Sequence, residues 1–335
     1  MPEVRRIIST IDAHAAGEPL RLITSGLPRL TGSTILERRA KMLAEHDDLR
    51  RALMWEPRGH ADMYGAILTP PVTDAADYGI LFMHNEGYST MCGHGIIAVT
   101  TILLETGMHP AADGQPAIAY DSPAGLIRAR ATLKGGRVTG VAFTNVPSFV
   151  FSEGLKVETT YGALAVQVVY GGAFYALAGA AAAGLEVESG RIKDLIDFGM
   201  QVKHAVEARV DARHPHEPDL QGIYGTIITG PPHDSDADGR NVTIFADGEV
   251  DRSPCGTGTA ARLAWLHARG EVEIGQTWVH ESITGTAFTG RVLEEAQVAE
   301  CPAIIPEISG RAFITGMHTF IIEPDDPLAG GFLVR

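Results

Sequence analysis

Cys92 and Cys255 are the residues whose types and surroundings point most directly to chemistry. Each opens a Cys-Gly-x-Gly motif, Cys92-Gly93-His94-Gly95 and Cys255-Gly256-Thr257-Gly258, that runs into a helix-like stretch, Ile96 to Thr106 and Thr259 to Arg269. A helix N-terminus offers unpaired N–H groups and partial positive charge, which favour a neighbouring thiolate and can draw its pKa from about 8.5 towards 7 or below. The glycines leave backbone N–H groups open to cradle an anion such as a substrate carboxylate. One thiolate and one thiol make a base and an acid. Set on opposite faces of a carbon that bears an acidic hydrogen, they exchange its proton and invert the centre. Doing this at the Cα of a small amino acid without pyridoxal phosphate requires such a pair and strong electrostatic stabilisation of the carbanion.

Plainer readings stand beside this one. A lone loop cysteine before a helix is usually a small packing residue, but two copies in register count against that. A structural disulfide fits poorly with three cysteines in an apparently cytoplasmic chain. The Cys92-x-His94 spacing lacks the paired motif of a zinc site, so no metal is expected. Cys301 has no repeat partner and reads as structural. Asp251, four residues before Cys255, either receives a substrate ammonium or iminium or caps a turn. His94 either offers its backbone N–H to a carboxylate or caps the helix. Arg58, His60 and Asp62 either support the site from behind or, in the preferred plainer reading, are solvated turn residues, and His214 and His216 read as surface loop residues.

The elements carrying the two cysteines are copies of one unit. Phe82 to Gly107 matches Phe245 to Gly270 at an offset of 163 positions, with Phe ten residues before Cys and a closing Gly fifteen after it. Upstream, Tyr64 to Thr69 matches Tyr224 to Thr229 at an offset of 160. Two repeats of strand, strand, loop and amphipathic helix predict two α/β lobes related by a pseudo-twofold, with a site in the cleft between them. Gly107 and Gly270 are expected as C-terminal caps.

At 335 residues and 45% apolar, the chain suits two domains. A net charge of −14, with no basic cluster, argues against a nucleic-acid partner. The start, Met1 to Thr10, lacks a signal-peptide core and predicts a cytoplasmic protein. The uncharged stretch Thr159 to Leu185 reads as a hairpin about Gly171-Gly172, between Ala163–Val169 and Ala173–Ala178, followed by a short Ala-rich helix from Gly179 to Gly184. It is not read as a membrane span.

Met91-Cys92-Gly93-His94-Gly95 and Asp251-Arg252-Ser253-Pro254-Cys255-Gly256-Thr257-Gly258-Thr259 closely resemble the two signature loops of the proline racemase family. Similarity continues through Ile11 to His14, Glu56 to Tyr64, Tyr170 to Phe174, Ile283 to Thr286 and Asp325 to Leu328. The resemblance implies a diaminopimelate epimerase-like α/β (α+β) fold of two lobes, each a sheet wrapped around a central helix. The lobes are expected at 1–140 with 316–335, carrying Cys92, and 141–315, carrying Cys255. It also implies a homodimer, no cofactor, and Cys92 and Cys255 as the acid/base pair. Gly93, His94, Gly256 and Thr257 would hold the carboxylate through their backbones, and Asp251 the ring nitrogen.

Within that family Cys255 resembles the proline racemases and 4-hydroxyproline epimerases, since the trans-3-hydroxyproline dehydratases commonly carry Thr there. His84 to Thr90 and Tyr224-Gly225-Thr226 look more like the dehydratases. The His that 4-hydroxyproline epimerases usually place near Gly225 is absent. Inversion at the Cα of proline or a hydroxyproline is therefore the leading expectation. Loss of water from trans-3-hydroxy-L-proline, with Cys92 as base, is the alternative, and a non-catalytic amino-acid-binding or thiol-redox protein is the third.

Overall fold

The structure is a computed structural model and describes residues 5–334. Its elements, in chain order, begin with β1 (Arg6–Ala15), β2 (Glu18–Ser25), α1 (Ile35–Met54), β3 (Tyr64–Thr69), β4 (Tyr78–His84), α2 (Gly93–Glu105), β5 (Ala117–Ser122), β6 (Gly125–Lys134) and β7 (Arg137–Thr144). There follow β8 (Ser148–Thr159), β9 (Gly162–Tyr170), β10 (Phe174–Gly179), α3 (Ile192–Glu207), β11 (Ile223–Gly230), β12 (Gly239–Phe245), β13 (Glu249–Asp251) and α4 (Gly256–Ala268). The chain closes with β14 (Thr277–Ser282), β15 (Ala287–Val298), β16 (Cys301–Gly310) and β17 (Ala312–Ile322). Packing divides it into two units: Met1–Met91, Gly95–Val141 and Arg311–Arg335 form one, and Cys92–His94 with Ala142–Gly310 form the other.

In the first unit the sheet runs β17–β1–β2–β3–β4–β5–β6, with β2–β3 and β4–β5 parallel and the other neighbours antiparallel. The second unit repeats this alternation through β9–β10–β11–β12–β14–β15, with β10–β11 and β12–β14 parallel. There β16 and β8 complete a ring, since β16 pairs with β15 on one side and β8 on the other, and β8 pairs with β9. The duplication therefore extends to six strands per unit.

The helices following the two motifs are buried on every side, where the sequence reading expected an amphipathic face. In α2 every residue from Ile96 to Leu103 is at most 1% exposed. In α4 Gly256 to Ala264 and Leu266 are all buried, and the helix packs against β8, β9, β10, β15 and β16. A helix enclosed by a sheet has no solvent side, so the small and apolar residues between the expected core positions pack as well. Gly107 and Gly270 take positive φ values of 74° and 71°, as terminating residues should.

The uncharged stretch forms the β9–β10 hairpin about Gly171-Gly172 and then a 3₁₀ turn over Ala180–Ala183. Among the described residues, no helix is long and apolar enough to cross a membrane. Arg58 is mostly buried and donates to the carbonyls of Ala52, Leu328 and Ala329, whereas His60 is exposed and Asp62 is half-buried, its N–H donating to the Asn85 side chain. His214 departs from the expected surface position. It is half-buried against Tyr170 and Phe149, and burial lowers its pKa. His216 is exposed.

Candidate active site

All seven residues expected at the site fall in the second unit, because the Cys92–His94 segment packs there. The two motifs meet through their glycines. A Cβ on Gly93 would lie 2.5 Å from the Gly256 Cα, and a Cβ on Gly256 would lie 2.5 Å from the Gly93 Cα. Glycine is thus required because two main chains touch, a role the sequence reading missed when it assigned these residues only to an open anion cradle. Gly171 plays the same part on the other side of α4, where a Cβ would lie 2.3 Å from the Thr257 carbonyl oxygen. The contact brings the N-termini of α2 and α4 together, along with their N–H groups and positive dipole ends.

Cys255 is the N-cap of α4, and its Sγ accepts the Gly258 N–H at 3.3 Å. A Cβ on Gly258 would lie 3.0 Å from that sulfur, so glycine here lets the amide reach it. The Cys255 backbone sits at φ 65°, ψ 109°, a left-handed value that costs a non-glycine residue about 1–3 kcal/mol and is held at functional positions by the surrounding structure. Thr257 Oγ1 lies 3.6 Å from the sulfur and the Tyr175 hydroxyl 3.8 Å, with these two oxygens 2.6 Å apart.

The helix N-terminus does not lower the pKa of the Cys255 thiol. Burial pushes it up to about 12, the charge of Asp251 adds to the rise, and the contacts with Thr257 and the Gly258 amide only partly oppose it. The helix N-terminus cannot compensate for loss of water around a thiol that is 6% exposed. Burial thus favours the protonated thiol at Cys255.

Asp251 ends β13 and is 4% exposed; burial raises its pKa to about 6 against the hydrogen bonds it accepts from Ser253. The Ser253 hydroxyl oxygen in turn accepts the Cys255 N–H at 3.1 Å. Asp251 thus has the turn-forming role that the plainer reading gave it and also stands as a buried acid beside the cysteine loop.

Cys92 is 3% exposed and His94 4%. The His94 ring, and not only its backbone, addresses the cysteine: Nδ1 lies 3.3 Å from the Cys92 Sγ. This side-chain contact and Tyr175 were both missed from sequence. The Cys-x-His spacing was available as a signal for the first, whereas Tyr175 follows the aromatic hairpin with no motif of its own. Cys301 stands apart, a half-buried free thiol at the start of β16.

Comparison with known proteins identifies the family. The proline racemase family model matches residues 10–333. The chain is 49% identical over 332 residues, 99% of each chain, to a trans-3-hydroxy-L-proline dehydratase of Bacillus cereus. It is 46% identical over 334 residues, 99% of this chain and 100% of the relative, to a 3-hydroxyproline 2-epimerase of Burkholderia multivorans. A hydroxyproline epimerase from Agrobacterium vitis, solved with bound trans-4-hydroxy-L-proline, superposes with a TM-score of 0.92 at 34% identity, covering 98% of this chain and 95% of that one. The mixed α/β fold is accordingly of the diaminopimelate epimerase-like type. With a match of this extent and two cysteine-led helices meeting at their glycines, the chain belongs to the proline racemase family.

Proposed function

We propose that this chain exchanges the Cα proton of proline or a hydroxyproline and inverts that centre, with Cys92 and Cys255 as the acid/base pair and no cofactor. The reading is carried by the meeting of two cysteine-led helix N-termini at Gly93 and Gly256. Backbone N–H groups of Gly93, His94, Gly256 and Thr257 bind the substrate carboxylate, and ionised Asp251 receives the ring ammonium.

The two thiols have unlike surroundings, which divides the labour. His94, 3.3 Å from the Cys92 sulfur, takes the thiol proton and leaves a thiolate as base. Cys255 keeps its proton and gives it to the opposite face of the carbanion. At the end of the turnover Cys92 holds the substrate proton and Cys255 is the thiolate, and exchange with solvent restores the starting state. Trans-3-hydroxy-L-proline is the first substrate to try, because relatives at 49% and 46% identity are named for 3-hydroxyproline chemistry.

The name of the 49% relative favours a second reading, dehydration. Cys92 would remove the same proton, the 3-hydroxyl would leave as water, and the resulting enamine would tautomerise to a cyclic imine. One experiment separates the readings: trans-3-hydroxy-L-proline, trans-4-hydroxy-L-proline and L-proline are each incubated with the protein in deuterium oxide and followed by NMR. An inverted product carrying deuterium at Cα supports inversion. Imine from the 3-hydroxy compound alone replaces it with dehydration. If neither forms and the amino acid still binds, the protein is a non-catalytic binder.

A further inference from the structure

Inside the second unit, α4 carries a cation with no counter-ion. Arg262, two turns along the helix from Cys255, is 9% exposed, and burial lowers its pKa only to about 10, so it is charged at neutral pH. Among the described residues its guanidinium makes one hydrogen bond, a long one of 3.4 Å from Nη1 to the Arg240 carbonyl, and no ion pair. The carboxylates in its neighbourhood are engaged elsewhere: Glu271 is exposed and bound to Arg269, and Glu281 is held by Arg240 and the His233 N–H. Beside Arg262 stands His280, fully buried, with neither ring nitrogen hydrogen-bonded. The sheet brings the two together. His280 is the register partner of Gly239 on the parallel strands β14 and β12, so both present the same face, and a Cβ on Gly239 would lie 2.5 Å from the Arg262 Nη2. Trp278, two residues before His280 and on the same face, adds a third buried donor without an acceptor, its indole N–H.

The corresponding place in the first unit is closed by protein alone. Asp121 and Glu281 each accept main-chain N–H groups from the loop before β4 or β12, which aligns Tyr120 with His280. The Tyr120 hydroxyl meets that of Thr100 on α2 at 2.9 Å, so helix and sheet satisfy each other there. In the second unit the same place holds donors that lack acceptors. A buried cation without a counter-ion is strongly unfavourable, and buried donors without acceptors add to the penalty. An anion relieves both at once, because it neutralises the guanidinium and accepts from every N–H, and the enclosure of the site favours a monatomic one. We propose that a halide, chloride, is held between Arg262 and His280 and ties α4 to β12 and β14.

Bromide, which replaces chloride and scatters anomalously, tests the assignment on the unaltered protein. Crystals of the full-length chain grown in millimolar bromide should show an anomalous peak in contact with the Arg262 guanidinium and the His280 ring. In solution the melting temperature should rise with the logarithm of chloride concentration, with sodium gluconate holding ionic strength constant. Arg262→Gln should raise the chloride concentration needed for a given stabilisation by about tenfold or more, for loss of a hydrogen bond from a charged group. His280→Gln, which keeps a donor, should retain the response. The bromide peak and the chloride response of the parent decide the matter even where a variant fails to fold. A water in this place in crystals grown with bromide overturns the proposal. So does a peak that appears only at molar bromide while melting is indifferent to chloride, which marks an adventitious ion only.

Discussion

Replacing Gly256 with alanine probes the contact on which the candidate site is built. The new Cβ would lie 2.5 Å from the Gly93 Cα, 3.0 Å from its carbonyl carbon and 3.3 Å from its nitrogen. Ordinary carbon contacts are about 3.5–4.0 Å, so the two helix N-termini must part by roughly 1 Å. Every obstructing atom is main chain, and no rotamer change relieves the clash. Two effects on stability oppose each other: alanine favours a helix over glycine by about 1 kcal/mol, while overpacking costs about 1–3 kcal/mol. The net loss of stability is modest. Moving groups that hold and deprotonate a substrate by 1 Å costs about 10²-fold in rate, or about 2.7 kcal/mol of barrier. Activity should therefore collapse in a protein that still folds. Deuterium uptake at Cα gives kcat/KM and thermal melting gives stability. Gly93→Ala should reproduce the effect, and the double variant should fall short of additivity because both changes break one contact. Gly179→Ala, with no neighbouring atom within 4 Å and φ −85°, serves as control. If Gly256→Ala exchanges deuterium within about threefold of the parent, the site does not depend on this contact and the reasoning fails.

Cys255→Ser removes the acid on one face, so inversion should fall by about 10²–10⁴-fold while Cys92 still washes deuterium into the enantiomer it faces; equal loss of both processes would count against the division of roles. Tyr175→Phe deletes a hydroxyl 2.6 Å from Thr257 and should lower kcat/KM about fivefold, for one hydrogen bond of about 1 kcal/mol, with melting little changed; a null effect on rate removes Tyr175 from the site. For Asp251, whose pKa burial raises from 3.8 to about 6, kcat/KM should decline as pH falls through about 6, because the protonated acid no longer holds an ammonium. The same shift acts oppositely on folding. The native state binds this proton more tightly than the unfolded chain, so the group's contribution to stability grows as pH falls from about 6 towards 4. A kcat/KM profile that stays flat down to pH 5 would remove Asp251 from substrate binding.

The cysteine motifs, their helices and the terminating glycines were legible because each repeats at a fixed offset, and a repeat reports a shared local structure. The Gly93–Gly256 contact was not legible, since a pattern of residue types carries no distance between segments so far apart in the chain. Which cysteine keeps its proton was not legible for a related reason: a helix N-terminus can be inferred from sequence, but the depth of burial that outweighs it at Cys255 comes from strands wrapped around α4. Reading α2 and α4 as amphipathic failed likewise, because Ala98, Val99 and Ala260, between the expected core positions, are fully buried as well. His94 was recognised as a residue of interest, yet its ring contact with Cys92 depends on a rotamer that the sequence does not specify.

The left-handed backbone at Cys255 bears on how family members exchange chemistries. Threonine, which resembling dehydratases commonly carry at this place, is β-branched, and at φ 65° it is far more strained than cysteine. Replacing this thiol with a threonine is then not a side-chain exchange on a fixed frame. It obliges the turn from Asp251 to Cys255 to relax, and with it the Ser253 hydroxyl that holds the Cys255 amide. A change of residue at this place would accordingly run through the loop first and the side chain second, and intermediates along it should be recognisable by altered turn residues around an unchanged cysteine.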